Sequence, residues 1–574
     1  MRDHESGTRN QESGTRDRTP EGEGETPPTS WTERWQADFG VHWRTELLVM
    51  AVLLFASGAL ALLLDPDLPV HLAMGRWIVH HGAVPFTEPF AWTRAGDPYY
   101  AYSCAVEIVY YFVYNTLGPA GLRMLHGLLV AAVAGVMIVL ARTARWSPWT
   151  AVMLAVLNVT LAAFLAGHLR PQILLFIAVP LAWSCAYWTL GNERIRWPVV
   201  GVLGASALAA NSHLLFPLTA APWMLLVTHP RRDVRRGAAL VSATVAGWLL
   251  SPYALVWPDV FQLNFAPNPL FTQPTPIAEL QPGVQSVFKA PLALVVFMAL
   301  ALLPWALSAV SITRRERVVA AVAWLVGLLA FAYAVRAMLI WWMLILPTVA
   351  AAIELLALVP KREIIVRAQK FCLYAILVFL VAGRVHNARD VRADYPGNVS
   401  PFTPFASAMA DPLTSWLECN SRADARGRVL TVFKLGSYLV WSLPSFSSSI
   451  DGRNIFPDSV ARAESYHWPR SGPVPLGPWQ SADLAIVTLD YPVAAVLDTA
   501  TGWHKVAATD SVGRALNARA AMWVRTAWWE RNRQTRADCK PASPVVNADI
   551  AQKTPGTEHR AANVVLAASR SASK

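Results

Sequence analysis

The segment with the most evident chemical potential in this 574-residue chain is acidic and carries a histidine. It reads Asp65-Pro66-Asp67-Leu68-Pro69-Val70-His71 and follows the first long apolar run. A carboxylate at the end of such a run can serve as a general base, and His71 lies one turn from Asp67 if the segment is helical. Two carboxylates and a histidine could alternatively bind a divalent cation, although no further ligand spacing supports a metal.

Other polar residues follow the same end of later apolar runs. Ionisable groups near membrane depth are costly and usually face a cavity or a partner. The set therefore predicts an outward-facing site with a base and an anion clamp, whereas each residue alone could simply mark where a helix leaves the membrane. The members of the set are Glu88, His168, Arg170, Asn211, His213, Tyr253, Glu279 and Arg336.

Two arginines of this set, Arg170 and Arg336, are the natural partners for a phosphate. Arginine offers a bidentate fork to phosphate oxygens and stays charged in a partly dry site. The alternative for each is an ion pair with Glu279 or a contact with a lipid headgroup.

The elements that must position these residues are membrane helices. The chain is 54% hydrophobic and 15% charged, against about 25% charged in a soluble domain. Residues 45–384 form a series of apolar runs of spanning length, which predicts an all-α polytopic membrane domain of about eleven transmembrane helices. A large outer loop at 65–121 is expected to contain a helix, 102–117, on the membrane surface. The predicted spans are 47–64, 122–141, 148–167, 172–190, 198–211, 214–228, 237–251, 291–310, 318–335, 338–357 and 368–384.

Arginine-rich loops alternate with loops that hold few basic residues, for example Arg231 to Arg236 and Arg314 to Arg317. The positive-inside rule places these loops in the cytoplasm. We therefore expect a disordered cytoplasmic tail at 1–44 and a C-terminal domain on the periplasmic side of a bacterial inner (plasma) membrane. The net charge of +11 resides largely in loops and scattered positions, so no nucleic-acid partner is predicted.

The C-terminal region, 385–539, has the pattern of a small α/β domain, and 540–574 that of a disordered tail. Strands are predicted at 429–432, 438–443 and 484–489, with helices at 407–418 and 491–499. The sequence Ile450-Asp451-Gly452-Arg453 predicts a turn in which Asp451 bonds to the backbone. Cys419 and Cys539 could form a disulfide if this domain is periplasmic.

The order of these features resembles the GT-C superfamily of integral-membrane glycosyltransferases, and most closely bacterial dolichyl-phosphate-mannose mannosyltransferase-like proteins. The resemblance covers about residues 45–520. It rests on a short first span, a large outer loop opening with an acidic residue, a surface helix, and a Gly-x-x-Arg start of the next span. The matching motifs are Asp65-Pro66-Asp67 with His71, Gly75-Arg76-Trp77-Ile78, Gly118 with Gly121-Leu122-Arg123, Arg170-Pro171-Gln172, Asn211-Ser212-His213, Ser251-Pro252-Tyr253, Glu279-Leu280-Gln281, Gly436-Ser437-Tyr438-Leu439-Val440-Trp441 and Ile450-Asp451-Gly452-Arg453.

The resemblance implies transfer of a sugar from a polyprenyl-phosphate donor to a lipid or glycan acceptor of the envelope. Asp67 would be the catalytic base, with Asp65 as the alternative. No cofactor is required by this chemistry, and a divalent cation stays open. A transporter or flippase of a polar lipid or solute, and an inactive relative that serves envelope assembly, are the alternatives. Besides Arg170 and Arg336, the residues expected to bind substrate or phosphate are His71, His168, Asn211, His213 and Glu279.

Overall fold

The computed structural model describes the larger part of the chain, and helices dominate it. The described residues are 30–63, 65–165, 169–192, 194–224, 233–265, 338–356, 362–394, 404–453, 481–509 and 519–535, with a few isolated positions between 322 and 329. Eleven of the helices in these ranges precede the C-terminal region. They are α1 (Trp31–Phe39), α2 (Trp43–Ala59), α3 (Leu68–His81), α4 (Cys104–Ala144), α5 (Pro148–Leu165), α6 (Leu175–Gly191), α7 (Arg196–Ala210), α8 (Val234–Leu249), α9 (Trp257–Phe265), α10 (Met338–Leu356) and α11 (Arg362–Asp394).

Three of the described helical segments are long and apolar enough to cross a membrane: Cys104–Ala144, Pro171–Gly191 and Lys370–Asp390. A fourth span would result if Val234–Leu249 and Ala254–Asn264, which are bent by 95° to each other, count as one. The predicted runs 291–310 and most of 318–335 lie outside the described residues. The helical membrane domain is therefore confirmed, whereas the number eleven stays a prediction.

The first described helix corrects an expectation. Residues 31–39, which the sequence pattern assigned to a disordered tail at 1–44, form helix α1. A capping box starts it, in which the hydroxyl of Ser30 accepts the backbone N–H of Glu33 and the Glu33 side chain accepts that of Ser30. Trp35 is buried and stacks on Trp43 at 5.7 Å between ring centroids. Phe39, on the same helix, contacts Trp149 of α5. Burial of these aromatic side chains against the membrane helices stabilises α1.

The large outer loop is folded around two helices. Helix α3 begins directly after Asp67, and α4 begins at Cys104 and is broken at Gly118, whose φ of 63° is non-helical. The half before this break, residues 104–117, matches the predicted surface helix, and its position relative to the membrane stays a prediction. Helix α3 crosses α4 closely at Gly75, since a β-carbon there would overlap the carbonyl oxygen of Glu107.

The C-terminal region forms a five-stranded sheet with helices, as the predicted α/β class requires. The strand order is β2-β1-β3-β5-β4, in which β1 pairs parallel with β2 and β3, and β5 pairs antiparallel with β3 and β4. In chain order the elements are α12 (Pro404–Asn420), β1 (Gly427–Thr431), α13 (Phe433–Ser442), β2 (Phe446–Ser448), β3 (Leu484–Thr488), α14 (Pro492–Thr499), β4 (Trp503–Ala508), β5 (Ala520–Arg525) and α15 (Thr526–Asn532).

The predicted strand at 438–443 is wrong, because these residues belong to helix α13. A short apolar run does not by itself distinguish a strand from a buried helix. Leu435, Tyr438 and Leu439 lie at helical spacing and are all buried. Gly436 allows the helix to approach the backbone after β2, since a β-carbon there would overlap the carbonyl oxygen of Ile450. The predicted strands at 429–432 and 484–489 and both predicted helices are confirmed.

The sheet domain docks on the outer loop along its edge strand. Ser448 of β2 donates its backbone N–H to the carbonyl of Phe90 at 2.9 Å, and the Trp92 indole donates to the carbonyl of Val429 at 3.2 Å. Helix α3 packs on α13, where Arg76 donates to the carbonyl of Trp441 at 2.9 Å and lies 4.5 Å from its ring. Pairing with the loop covers an edge that would otherwise expose unpaired backbone groups. The outer loop thus lies between the membrane helices and the sheet.

Candidate active site between the membrane helices and the sheet domain

The two aspartates of the first outer loop converge on Arg170. The guanidinium donates through Nε to Asp65 Oδ2 at 2.5 Å, and its Nη2 lies 3.4 Å from Asp67 Oδ2. Asp65 also accepts the backbone N–H of Asp67 at 2.9 Å. The Asp65 side chain is 2% exposed and that of Asp67 is 26% exposed. Asp65 is therefore the buried partner of the arginine, and Asp67 is the more exposed of the two carboxylates.

Local sequence explains how these side chains come together. Asp67 is the N-cap residue of α3, and Pro69 occupies the first turn, where its missing N–H costs nothing. Arg170 precedes Pro171, which favours the extended backbone that the arginine adopts. A short 3₁₀ turn, Pro171–Leu174, then leads into α6. The aspartates and the arginine thus lie at neighbouring ends of separate helices.

His71 occupies the first turn of α3, as the helical reading of this segment required, and its backbone N–H donates to the carbonyl of Asp67 at 3.2 Å. Its Nδ1 lies 2.9 Å from Oε1 of Glu107, and the hydroxyl of Ser103 donates to the same oxygen at 2.9 Å. Burial lowers the pKa of His71, but the hydrogen bond and charge of Glu107, with the charges of Asp67 and Asp65, outweigh it and raise this pKa above its ordinary value.

A turn of the sheet domain reaches into this cluster. A β-carbon at Gly452 would overlap Oδ1 of Asp67 and lie 3.4 Å from its Cγ. The backbone N–H of Gly452 donates to the hydroxyl of Ser437 at 2.8 Å. The turn itself is as predicted, since Asp451 accepts the backbone N–H of Arg453 at 3.0 Å. Its contact with Asp67 adds a role that the sequence did not indicate.

The same turn is fixed to the outer loop by a buried charge cluster. Arg453 donates to both carboxylate oxygens of Glu88, at 2.7 and 3.0 Å, and to both of Asp451, at 2.6 and 2.8 Å. Its guanidinium also lies 4.7 Å from the ring of Tyr99. Burial lowers the pKa of Arg453, but the charges of Asp451 and Glu88 and the neighbouring Tyr99 raise it well above its ordinary value. Glu88 is thus structural rather than part of the Asp67 cluster.

The remaining predicted site residues fall into two groups. Asn211 accepts a hydrogen bond from the thiol of Cys104 at 3.8 Å, and the ring of His213 lies edge-on to Tyr102. Both contact the start of α4 near Ser103, and no direct contact joins them to Asp65, Asp67 or Arg170 in the described hydrogen bonds. Tyr253 donates to the carbonyl of Pro85 at 2.8 Å and holds the outer loop. His168, Glu279 and Arg336 lie outside the described residues.

Glu107 was not among the site residues predicted from the sequence. It is the single charged residue of 102–117, and its side chain is 3% exposed. A lone carboxylate in an apolar, aromatic helix was itself the signal, because a buried charge needs a partner or a function. Within the described ranges, no group of three or more His, Cys, Asp or Glu side chains could hold a metal ion.

Apolar helices of spanning length and the architecture of the described domains define a membrane protein with a GT-C-like fold, so the resemblance read from the sequence is confirmed at the level of fold. No protein-family model matches the sequence, and no curated protein matches it.

Three solved structures align with most of the chain. A mutant of arabinofuranosyltransferase AftD from Mycobacteria is 17% identical with a TM-score of 0.53, over 84% of this chain and 41% of that one. ArnT from Cupriavidus metallidurans bound to undecaprenyl phosphate is 14% identical with a TM-score of 0.44, over 84% of this chain and 98% of that one. The apo state of ArnT has a TM-score of 0.34 at 14% identity. The chain spans less than half the length of AftD. Its likeness to AftD shows a similar fold.

Proposed function

We propose that this protein is a glycosyltransferase that moves a sugar from a polyprenyl-phosphate donor to a hydroxyl of an envelope lipid or glycan. The reaction would take place at the periplasmic face of a bacterial inner membrane. The observation that carries the proposal is the arrangement of two aspartates on one arginine, in which Asp65 is buried and Asp67 is accessible. The GT-C-like fold is consistent with this chemistry.

In this reaction, the acceptor hydroxyl attacks the anomeric carbon and the bond from that carbon to the phosphate oxygen breaks. Asp67 accepts the proton of the acceptor hydroxyl, which is general-base catalysis. Asp65 orients Arg170, and Arg170 in turn holds the Asp67 carboxylate in place. Because Arg170 remains charged and offers several donors, it also stabilises the negative charge on the leaving lipid phosphate.

The disulfide of Cys419 supports the proposed side of the membrane. Cys419 is disulfide-bonded, as anticipated for this domain if periplasmic, and Cys539, the partner that we predict, lies outside the described residues. Disulfides persist in oxidising compartments such as the periplasm and are rare in the cytosol. Together with the positive-inside pattern, this supports the proposal that the sheet domain and Asp67 lie on the outer side.

The test is an assay of the purified full-length protein with radiolabelled undecaprenyl-phosphate-linked hexoses and pentoses and an envelope lipid extract as acceptor. We expect transfer by the wild type and a loss of at least about a hundredfold in Asp67→Asn. Asp97→Asn is the matched control, because Asp97 lies in the same loop and its half-exposed side chain pairs with Arg94. Undiminished transfer by Asp67→Asn would remove Asp67 from the mechanism. Movement of labelled lipid across vesicles without any transfer would favour the transporter instead.

A further inference from the structure

The pair of His71 and Glu107 is not used by the mechanism above, although it belongs to the same cluster. Glu107 accepts two hydrogen bonds on Oε1, from His71 and Ser103, and its buried Oε2 makes no hydrogen bond to a described residue. A buried charged oxygen without a partner keeps its full desolvation penalty, which destabilises the fold. Neutral side chains could hold α3 and α4 together at a lower cost in stability. The buried charged pair therefore indicates a chemical role.

The geometry fixes which histidine nitrogen is available for that role. Because Glu107 binds Nδ1, the ring is held in one orientation, and Nε2 remains the position where a proton can be given or taken. The His71 side chain is 20% exposed, whereas Glu107 is 3% exposed. The carboxylate thus lies behind the ring, and the ring is the accessible member of the pair.

The position of His71 relative to Asp67 suits a second proton-transfer group. Residues four apart at the start of a helix have β-carbons about 5–6 Å apart. The side chains of Asp67 and His71 are therefore neighbours and can reach the same substrate. Gly75, one turn further along α3, allows the close crossing with α4 that brings Glu107 within reach of the ring.

The charges around the site favour an acid over a second base. The cluster contains three carboxylates, Asp65, Asp67 and Glu107, and among its described residues a single permanent cation, Arg170. A lipid phosphate that departs without a proton adds a further negative charge to this acidic cluster, and a proton from a neighbouring imidazolium removes that penalty.

We infer that His71, oriented by Glu107, is the general acid that protonates the departing lipid phosphate. This rests on the glycosyltransferase function proposed above. As the bond between the anomeric carbon and the phosphate oxygen breaks, the proton on Nε2 moves to that oxygen, and the lipid phosphate leaves as a monoanion. The acceptor proton, taken up by Asp67, then passes to the imidazole and restores both groups. Glu107 acts as a positioning residue.

Several ionisable groups bear on the titration of His71. Glu107 acts on it from α4, and Asp65 and Asp67 act on it from the preceding segment. Tyr110 of α4 and Arg170, which precedes α6, interact in turn with these carboxylates. The ionisable Tyr438 of α13, which packs on α3, donates its hydroxyl to Asp411. The raised pKa of His71 keeps the imidazolium populated near neutral pH, as a general acid requires.

The test is the pH dependence of kcat between pH 6 and 9, with the donor that the wild type uses, together with the donor Kd. We expect wild-type kcat to fall on the alkaline side as His71 loses its proton. In His71→Gln, kcat should be roughly a hundredfold lower and flat over this range, while the donor Kd is unchanged. In Glu107→Gln, the alkaline fall should move to lower pH, because the carboxylate that stabilises the imidazolium is gone.

The outcomes separate the two proposals. An alkaline fall at the same pH in all three proteins would overturn the general-acid role of His71 while leaving the glycosyltransferase function intact. Absence of transfer by the wild type at every pH would instead overturn the proposed function, and this inference with it. If His71→Gln does not fold, the shift in Glu107→Gln decides the question, and partial restoration of the wild-type profile in Glu107→Asp is the expected rescue.

Discussion

Gly452→Ala tests whether the sheet domain helps to form the site. The backbone of Gly452 lies outside the positive-φ region, so alanine can adopt it without strain. The added β-carbon would overlap Oδ1 of Asp67 and lie 2.7 Å from the hydroxyl of Ser437. Relief of these overlaps requires the carboxylate to move by roughly 1 Å, and misplacement of a reacting group by that distance can cost about a hundredfold in rate.

The effect on stability should be small by comparison. A displaced Asp67 rotamer costs about 0.5–1.5 kcal/mol, whereas replacing glycine by alanine restricts the unfolded chain and gains about 0.4–1 kcal/mol. These contributions nearly cancel. The expected result is therefore a folded protein with an unchanged melting temperature and a rate of sugar transfer lower by roughly two orders of magnitude.

Gly204→Ala is the matched control, because a β-carbon at Gly204 in helix α7 has no neighbouring atom within 4 Å. It should retain wild-type activity and be slightly more stable, because alanine is favoured over glycine within a helix by about 0.5–1 kcal/mol. The measurements are the transfer assay and thermal unfolding of both variants in detergent. Wild-type transfer by Gly452→Ala would refute the reasoning, since it would show either that the turn does not constrain Asp67 or that Asp67 is not the base.

Four further outcomes follow from the described contacts. Arg453→Met should lower the free energy of unfolding by about 3–5 kcal/mol, because it leaves the buried carboxylates of Glu88 and Asp451 unpaired, and adding Glu88→Gln with Asp451→Asn should restore much of the loss. Arg170→Lys should lower transfer at least about tenfold, because lysine cannot contact Asp65 and Asp67 as the guanidinium does, and equal rates would contradict this. Because the folded-state pKa of His71 is raised, its stabilising contribution is complete below about pH 6.5 and is lost as the pH rises through the folded value; the difference in melting temperature between pH 6 and 9 should shrink in His71→Gln. With the free cysteines Cys104, Cys185 and Cys372 replaced by serine, a membrane-impermeant maleimide should label the sheet domain on intact cells only after the disulfide of Cys419 is reduced, whereas labelling that requires lysis would place the domain inside.

The sequence predicted the features that depend on local pattern. The length of the apolar runs predicted the helical membrane domain. Short apolar runs bounded by turn residues predicted strands β1 and β3. The break at Gly118 falls where the sequence placed the boundary between the surface helix and the next span. These features need only the neighbouring residues to be interpreted.

Features that depend on contacts distant in sequence could not be predicted. Residues 438–442 belong to a helix that packs closely on the backbone of Ile450 at Gly436, a contact that the apolar run alone does not reveal. The pairing of Arg453 with Glu88 joins residues 365 positions apart. The predicted turn around Asp451 is confirmed, but the contact of Gly452 with Asp67 depends on how the sheet domain docks on the outer loop.

The structure adds two carboxylate partners to the role predicted for Arg170. The sequence predicts an anion clamp for the donor phosphate, which stays a prediction, and in the structure the guanidinium contacts both aspartates. Its charge is thus already compensated, and an incoming phosphate competes with Asp67 for the same donors. Binding of the donor would therefore draw Arg170 away from Asp67 before Asp65, because the contact with Asp67, at 3.4 Å, is the longer of the two and the Asp67 side chain is the more exposed. In the proposed reaction, Arg170 would thus keep its contact with the buried Asp65 while it turns to the phosphate, and Asp67 would become available to the acceptor hydroxyl.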